Sequence, residues 1–143
     1  MNISANAILA ALPNALPGCP NARLALFAMR RMGSNGLADA HATRVMIENF
    51  GANFRRPLLL LRALMADMAA TAVSQIAIAP CCCARMTHAE AALTTILSRV
   101  EVAPESARLL LADLLGSRRV DGVLASAAAV AMAFADEGRP IVA

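Results

Sequence analysis

Cys81, Cys82 and Cys83 stand in one unbroken run, and they are the only cluster of soft, nucleophilic side chains in the 143-residue chain. Only the thiolate attacks electrophiles or binds soft metals, and its pKa falls beside cations and at helix N-termini. Both influences are on offer here. Arg85 follows Cys83 by two residues, and Thr87-His88-Ala89-Glu90 has the form of a capping box that opens a helix. The reactive-thiol candidates are therefore Cys81, Cys82 and Cys83, with Arg85 as the cation. The same sulfurs offer a second chemistry. Cys81 and Cys83 turn the same way in an extended linker and supply two ligands of a tetrahedral zinc site, which Cys19 and either His88 or His41 would complete. The spacing matches neither the C-x2-C of zinc ribbons nor ordinary iron–sulfur patterns. The third reading is plain packing, because free cysteine behaves as a small buried hydrophobe. A disulfide from Cys19 to the triplet is a further option that spacing cannot decide.

Arginine supplies all 13 basic residues. GC-rich coding explains that without function; selection for bidentate anion contacts is the alternative. Arg55-Arg56 and Arg118-Arg119 flank helix starts, where backbone N–H groups and added guanidinium groups favour phosphate or carboxylate. These four are the anion-binding candidates, with ion pairing to neighbouring helices as the plainer reading. Arg62 and Asp67 are potential partners of those sites. Arg30-Arg31 lies near a helix C-terminus, where complementing the dipole accounts for it. No nucleophile elbow, phosphate-binding glycine loop, zinc-protease histidine pair or kinase set is present, so no catalytic residue is assigned.

Three segments, Arg30-Arg31-Met32, Phe54-Arg55-Arg56-Pro57-Leu58 and Cys81-Cys82-Cys83-Ala84-Arg85-Met86-Thr87, together resemble the pattern of a small bacterial domain-of-unknown-function family of similar length. The resemblance spans most of the chain. It implies no activity or cofactor. It does imply that the arginine pairs and the cysteine run belong to one pattern, which favours a shared site.

The elements that must position these residues read as helices. Residues 3–12 form a short apolar helix ended by Pro13, and 1–18 as a whole is an N-terminal apolar segment and turn; 19–143 is the single helical domain. Pro20 starts a helix with Leu24, Phe27, Ala28 and Met32 at helical spacing, and the glycines at 33 and 36 stop it. A second helix runs from about Leu37 to Phe50. A third begins near Pro57, and its run Leu58–Leu61 covers every azimuth, which predicts a central helix buried on most sides. Residues 73–79 fit either its last turns or an extended run. Three more helices follow: one from the Thr87 cap, one from Pro104 to Gly116, and one from about Arg118 to Glu137. The expectation is an all-α bundle of five or six helices around the leucine-rich one.

Composition limits the partners. The apolar fraction is 59% and mean hydropathy +0.59, but about a quarter of the chain is alanine, which favours helix without much greasy area. With no Trp or Tyr and four Phe, the core must be aliphatic. A membrane span is disfavoured: the best window, 57–79, holds Arg62 and Asp67, each costing roughly 2.5–3.5 kcal/mol at a bilayer centre. The N-terminus lacks a basic signal region, so a cytoplasmic protein with reduced thiols is expected. Net charge is +3, split as +5 over residues 1–85 and −2 over 86–143, a polarity that suits head-to-tail self-association and is too weak to argue for nucleic acid, which needs a basic stripe with aromatic stacking or a docking motif. Three functions follow from these features: a regulatory or redox-responsive thiol protein; a zinc-binding protein on the same thiols; or a helical interaction module, a homodimer, whose cysteines only pack.

Overall fold

The computed structural model describes Leu12 and residues 14–142. The expected helix at 3–12 lies, apart from Leu12, outside the described residues. Among the described residues six α-helices carry the fold: α1 (Pro20–Asn35), α2 (Ala40–Phe50), α3 (Arg55–Thr71), α4 (His88–Arg99), α5 (Pro104–Leu115) and α6 (Asp121–Asp136), with a 3-10 turn at Gly51–Asn53. The bundle is all-α as expected, apart from one small antiparallel pair. In it β1 (Asn14–Ala15) meets β2 (Arg85–Met86), with Asn14 opposite Met86 and Ala15 opposite Arg85. The segment before α1 is thus tied to the strand that follows the cysteines.

Local chemistry sets the boundaries. Pro20 occupies the first turn of α1, where its missing N–H is no loss. The helix runs through Gly33 to Asn35 before Gly36 ends it at φ +100°. The second helix starts three residues later than the apolar pattern suggests, because the Asp39 carboxylate accepts from the Ala42 amide and caps it. Pro57 is the third residue of α3, still within the unpaired first turn.

Helix α3 packs against α1, α2 and, most extensively, α6. Leu58, Leu61, Leu64 and Met68 are buried there, but Leu59 is 56% exposed. The leucine run is therefore central without being covered all round: three neighbours leave one edge of the helix to solvent. The four phenylalanines are used sparingly, and Phe50 meets Phe134 edge-on with ring centroids 5.1 Å apart between α2 and α6. Helices α4 and α5 form an antiparallel hairpin that closes over α6. No helix among the described residues is long and apolar enough to cross a membrane.

After Thr71 the chain is neither helix nor strand until β2, so residues 73–79 form an irregular run rather than helical turns. Tertiary bonds hold this run. The Val73 amide donates to the Leu115 carbonyl at 3.0 Å, beside Gly116, which closes α5 in the left-handed region at φ +67°. Further on, the Ala77 carbonyl accepts from the Thr87 hydroxyl at 2.7 Å.

Candidate thiol site

The site grows from the cap of α4. Thr87 and Glu90 complete the capping box: the Thr87 Oγ1 accepts from the Glu90 amide at 3.0 Å, and Glu90 Oε1 accepts from the Thr87 amide at 2.9 Å. Most capping carboxylates lie at the surface. Glu90 is fully buried, and so is the group that answers it, Arg30 of α1. Arg30 Nε donates to Oε2 at 2.7 Å and Nη2 to Oε1 at 3.0 Å, a two-point carboxylate–guanidinium pair across the bundle. Glu90 Oε2 also accepts from the Ala79 amide at 3.2 Å.

The rest of the Arg30 fork holds the cysteine loop. Its Nη1 donates to the Cys83 carbonyl and its Nη2 to the Arg85 carbonyl, each at 2.8 Å. The loop itself is a turn closed by the Cys83 amide on the Pro80 carbonyl at 3.1 Å, which leaves Cys81 and Cys82 as its two corner residues. That corner position turns neighbouring side chains outward together: the Cys81 and Cys82 sulfurs are 3.3 Å apart. Cys82 is exposed, and Cys81 and Cys83 are half-buried.

The next arginine along α1 completes the site. Arg31 places Nη1 4.0 Å from the Cys81 sulfur, a long contact of the kind sulfur makes. Its Nε and Nη2 bond both oxygens of Asp39 at 3.1 Å, so the residue that caps α2 also aims this guanidinium. The hydrogen bond from Cys82, then the one from Arg31, holds the Cys81 thiol below its ordinary pKa. The same Cys81–Cys82 contact pushes Cys82 up. Two identical thiols are thereby made unequal, one inclined to be thiolate and the other to keep its proton.

The guanidinium that meets Cys81 comes from α1. Arg85 sends its Nε to the Leu12 carbonyl and offers its own carbonyl to Arg30. The arginines that lower Cys81 are Arg31 and Arg30, the pair that dipole complementarity alone accounts for in the sequence. Arg30 sits one helical turn beyond Leu26, and Glu90 falls on the stripe continued by Leu93 and Leu97, so both charges occupy buried faces. An arginine and a glutamate each on an apolar stripe are the sequence signal for this pair, one that dipole complementarity and the capping box had absorbed.

The other candidates fall elsewhere. Among the described residues no three His, Cys, Asp or Glu side chains are grouped to hold a metal ion. Cys19 caps α1 with its sulfur 3.7 Å from the Pro140 carbonyl. Burial pushes the Cys19 thiol up, but the amides of Val142, Ala22 and Asn21 outweigh it and leave the thiol lowered. His88 is exposed at the start of α4 and lines a separate cavity of about 230 Å³ with Asp113, and His41 is exposed on α2. Cys19, Cys81, Cys83 and His88 are thus not brought together as one ligand set. Of the anion candidates, Arg56 pairs with Asp136 at 2.6 Å and Arg55 lies over the Phe54 ring at 5.1 Å. Arg118 and Arg119 are exposed ahead of α6. Arg62 donates to the Thr43 hydroxyl at 3.0 Å, and Asp67 accepts from Ser126, so neither serves those arginine pairs.

Two cavities lie along α1. One of about 380 Å³, between α1, α3 and the irregular run, has only Ser34, Ser74 and Gln75 as polar side chains and no titratable group. The other, about 300 Å³, opens onto Cys81, Cys82 and Cys83 and is walled by Leu16, Leu26, Phe27 and Ala84, with Arg23 and Arg30.

Fold and site together define a small all-helical protein whose cysteine turn is anchored by a buried ion pair. Residues 1–109 match the family model DUF6628, a family of unknown function, and the chain belongs to that family. The matched span carries every residue of the site from Arg30 to Glu90. No curated protein and no solved structure gives a match.

Proposed function

We propose that this protein is a redox-responsive thiol protein in which Cys81 and Cys82 act as a pair, Cys81 as the attacking thiolate and Cys82 as the thiol that resolves it. A two-electron oxidant removes two electrons and two protons from the pair, and an S–S bond closes between the sulfurs. The observation that carries the reading is the 3.3 Å separation of these sulfurs at one turn corner, with the Arg31 guanidinium in hydrogen-bond contact with Cys81. Adjacent Cα atoms lie about 3.8 Å apart across a trans peptide, short of the roughly 4.4–6.8 Å span of relaxed disulfides. A bond between neighbours is therefore strained and easily reduced, which suits a reversible switch rather than a structural link. The reading places the protein in a reducing compartment such as the cytoplasm, where thiols rest reduced. Closing the bond reshapes a turn whose end Arg30 holds, so oxidation is felt at Glu90 and the α1–α4 contact.

The test is alkylation of each cysteine across pH, followed by peptide mapping after one equivalent of oxidant. Cys81 is expected to alkylate at lower pH than Cys82, and Arg31→Gln to move the Cys81 profile upward. Oxidation is expected to remove two hydrogens from the peptide that holds both residues. Matching pH profiles for the two thiols, together with no intramolecular disulfide, would sink the reading.

A further inference from the structure

The cavity at the turn has the composition of a ligand site. Its walls, Leu16, Leu26, Phe27 and Ala84, are apolar, and the thiols form one side. Its two cations differ in availability. The Arg30 guanidinium is committed at Nε, Nη1 and Nη2 to Glu90 and to two carbonyls. Arg23 is exposed, spends Nε on the Pro17 carbonyl and, among the described residues, makes no ion pair. At about 300 Å³ the space is at the small end of ligand pockets and admits one ring or short chain.

Resting on the thiol-pair reading above, we propose that this cavity binds a small organic hydroperoxide with an apolar body and a carboxylate, and that Cys81 reduces it. The apolar body lies against Phe27 and Leu16, the carboxylate meets Arg23, and the peroxide reaches the Cys81 sulfur. A hydroperoxide fits better than a disulfide, because a disulfide brings two organic bodies to a space that holds one. The chemistry balances with the groups present. The Cys81 thiolate attacks the terminal oxygen, an S–O bond forms, the O–O bond breaks, and the leaving alkoxide takes a proton from solvent to give the alcohol. Arg31, 4.0 Å from that sulfur, favours the negative charge as it moves onto oxygen. The Cys82 sulfur, 3.3 Å away, then attacks the sulfenic sulfur. An S–S bond forms, the S–O bond breaks, and hydroxide leaves with the Cys82 proton as water. The thiol pair loses two electrons and the hydroperoxide gains them.

The experiment measures disulfide formation in the reduced full-length protein with hydrogen peroxide, cumene hydroperoxide and a cumene hydroperoxide carrying a para-carboxylate. Each rate constant is divided by that of free cysteine at the same thiolate concentration. The carboxylated probe is expected to exceed hydrogen peroxide at least tenfold on this scale, with cumene hydroperoxide between them. Arg23→Gln, at an exposed position, is expected to bring the normalised rate of the carboxylated probe down to that of cumene hydroperoxide. Phe27→Leu is expected to slow both organic probes and spare hydrogen peroxide. Equal normalised rates for all three probes, with the Cys81–Cys82 disulfide still formed, overturn the ligand assignment and leave the thiol-pair reading standing. Absence of that disulfide with every oxidant overturns both.

Discussion

Replacing Glu90 by Gln tests whether the buried charge pair organises the cysteine turn. The side chain keeps its shape, and its one remaining carbonyl oxygen still accepts from either the Thr87 or the Ala79 amide. The charge that answers Arg30 disappears. Arg30 is 2% exposed and Glu90 0% exposed, so water does not take over the lost interaction. Removing one partner of such a pair costs about 3–5 kcal/mol, because the other charge stays buried and uncompensated. For a chain of this size that is a fall in Tm of about 10–15 °C. Chemical denaturation followed by circular dichroism measures the loss. Arg44→Ala, which breaks an exposed pair with Glu48, is the matching surface control and is expected to cost about 0.5 kcal/mol or less. Adding Arg30→Met to Glu90→Gln removes the stranded charge, so the double variant is expected to be no less stable than Glu90→Gln alone, despite two further lost hydrogen bonds to the Cys83 and Arg85 carbonyls. Additive losses, or a Glu90→Gln cost under about 1 kcal/mol, would mean that the pair is not what holds α1 to the cap of α4.

Two glycines are expected to respond with opposite signs. Gly116→Ala puts a side chain in the left-handed region at φ +67° and brings a Cβ within 2.5 Å of the Val73 side chain, which costs about 1–2 kcal/mol in a denaturant melt. Gly122→Ala, in the first turn of α6 with open space around it, is expected to gain about 0.5–1 kcal/mol. Acid loosens the other arm of the site. The Arg31 hydrogen bond, then the Ala42 amide, holds Asp39 below its ordinary pKa, so its contribution is complete above the unfolded value near about 3.9 and is lost as pH falls through the lower, folded value. In Asp39→Asn that pH dependence is expected to vanish from stability measured across the acid range. An unchanged slope would remove Asp39 from the site's electrostatics.

Much of the fold was legible from one sequence because its signals are local. Helical spacing of leucines, the prolines at 20 and 104, and the glycines at 36, 51 and 116 mark where helices begin and end. The capping box at Thr87 and Glu90 was legible for the same reason, since both partners lie within four residues. Leu59 and the irregular run at 73–79 were harder. Whether a leucine faces solvent, or an apolar stretch stays extended, depends on which neighbours arrive and where the backbone finds partners. The Leu115 carbonyl and the Thr87 hydroxyl are such partners.

By itself the sequence determined the helices, the Thr87–Glu90 capping box and the presence of three adjacent thiols next to a helix start, because each depends on residues within a turn or two of one another. Tertiary structure alone decided which cation meets Cys81. Arg85 is the nearest arginine along the chain, but Arg31, fifty residues before Cys81, is the one whose guanidinium reaches that sulfur. It also decided that Arg30 and Glu90, sixty residues apart, share a buried site. Electrostatic and hydrogen-bonding effects act over a few ångströms of space, whatever the separation in sequence. Only the packing of α1 against α4 brings those groups within that range.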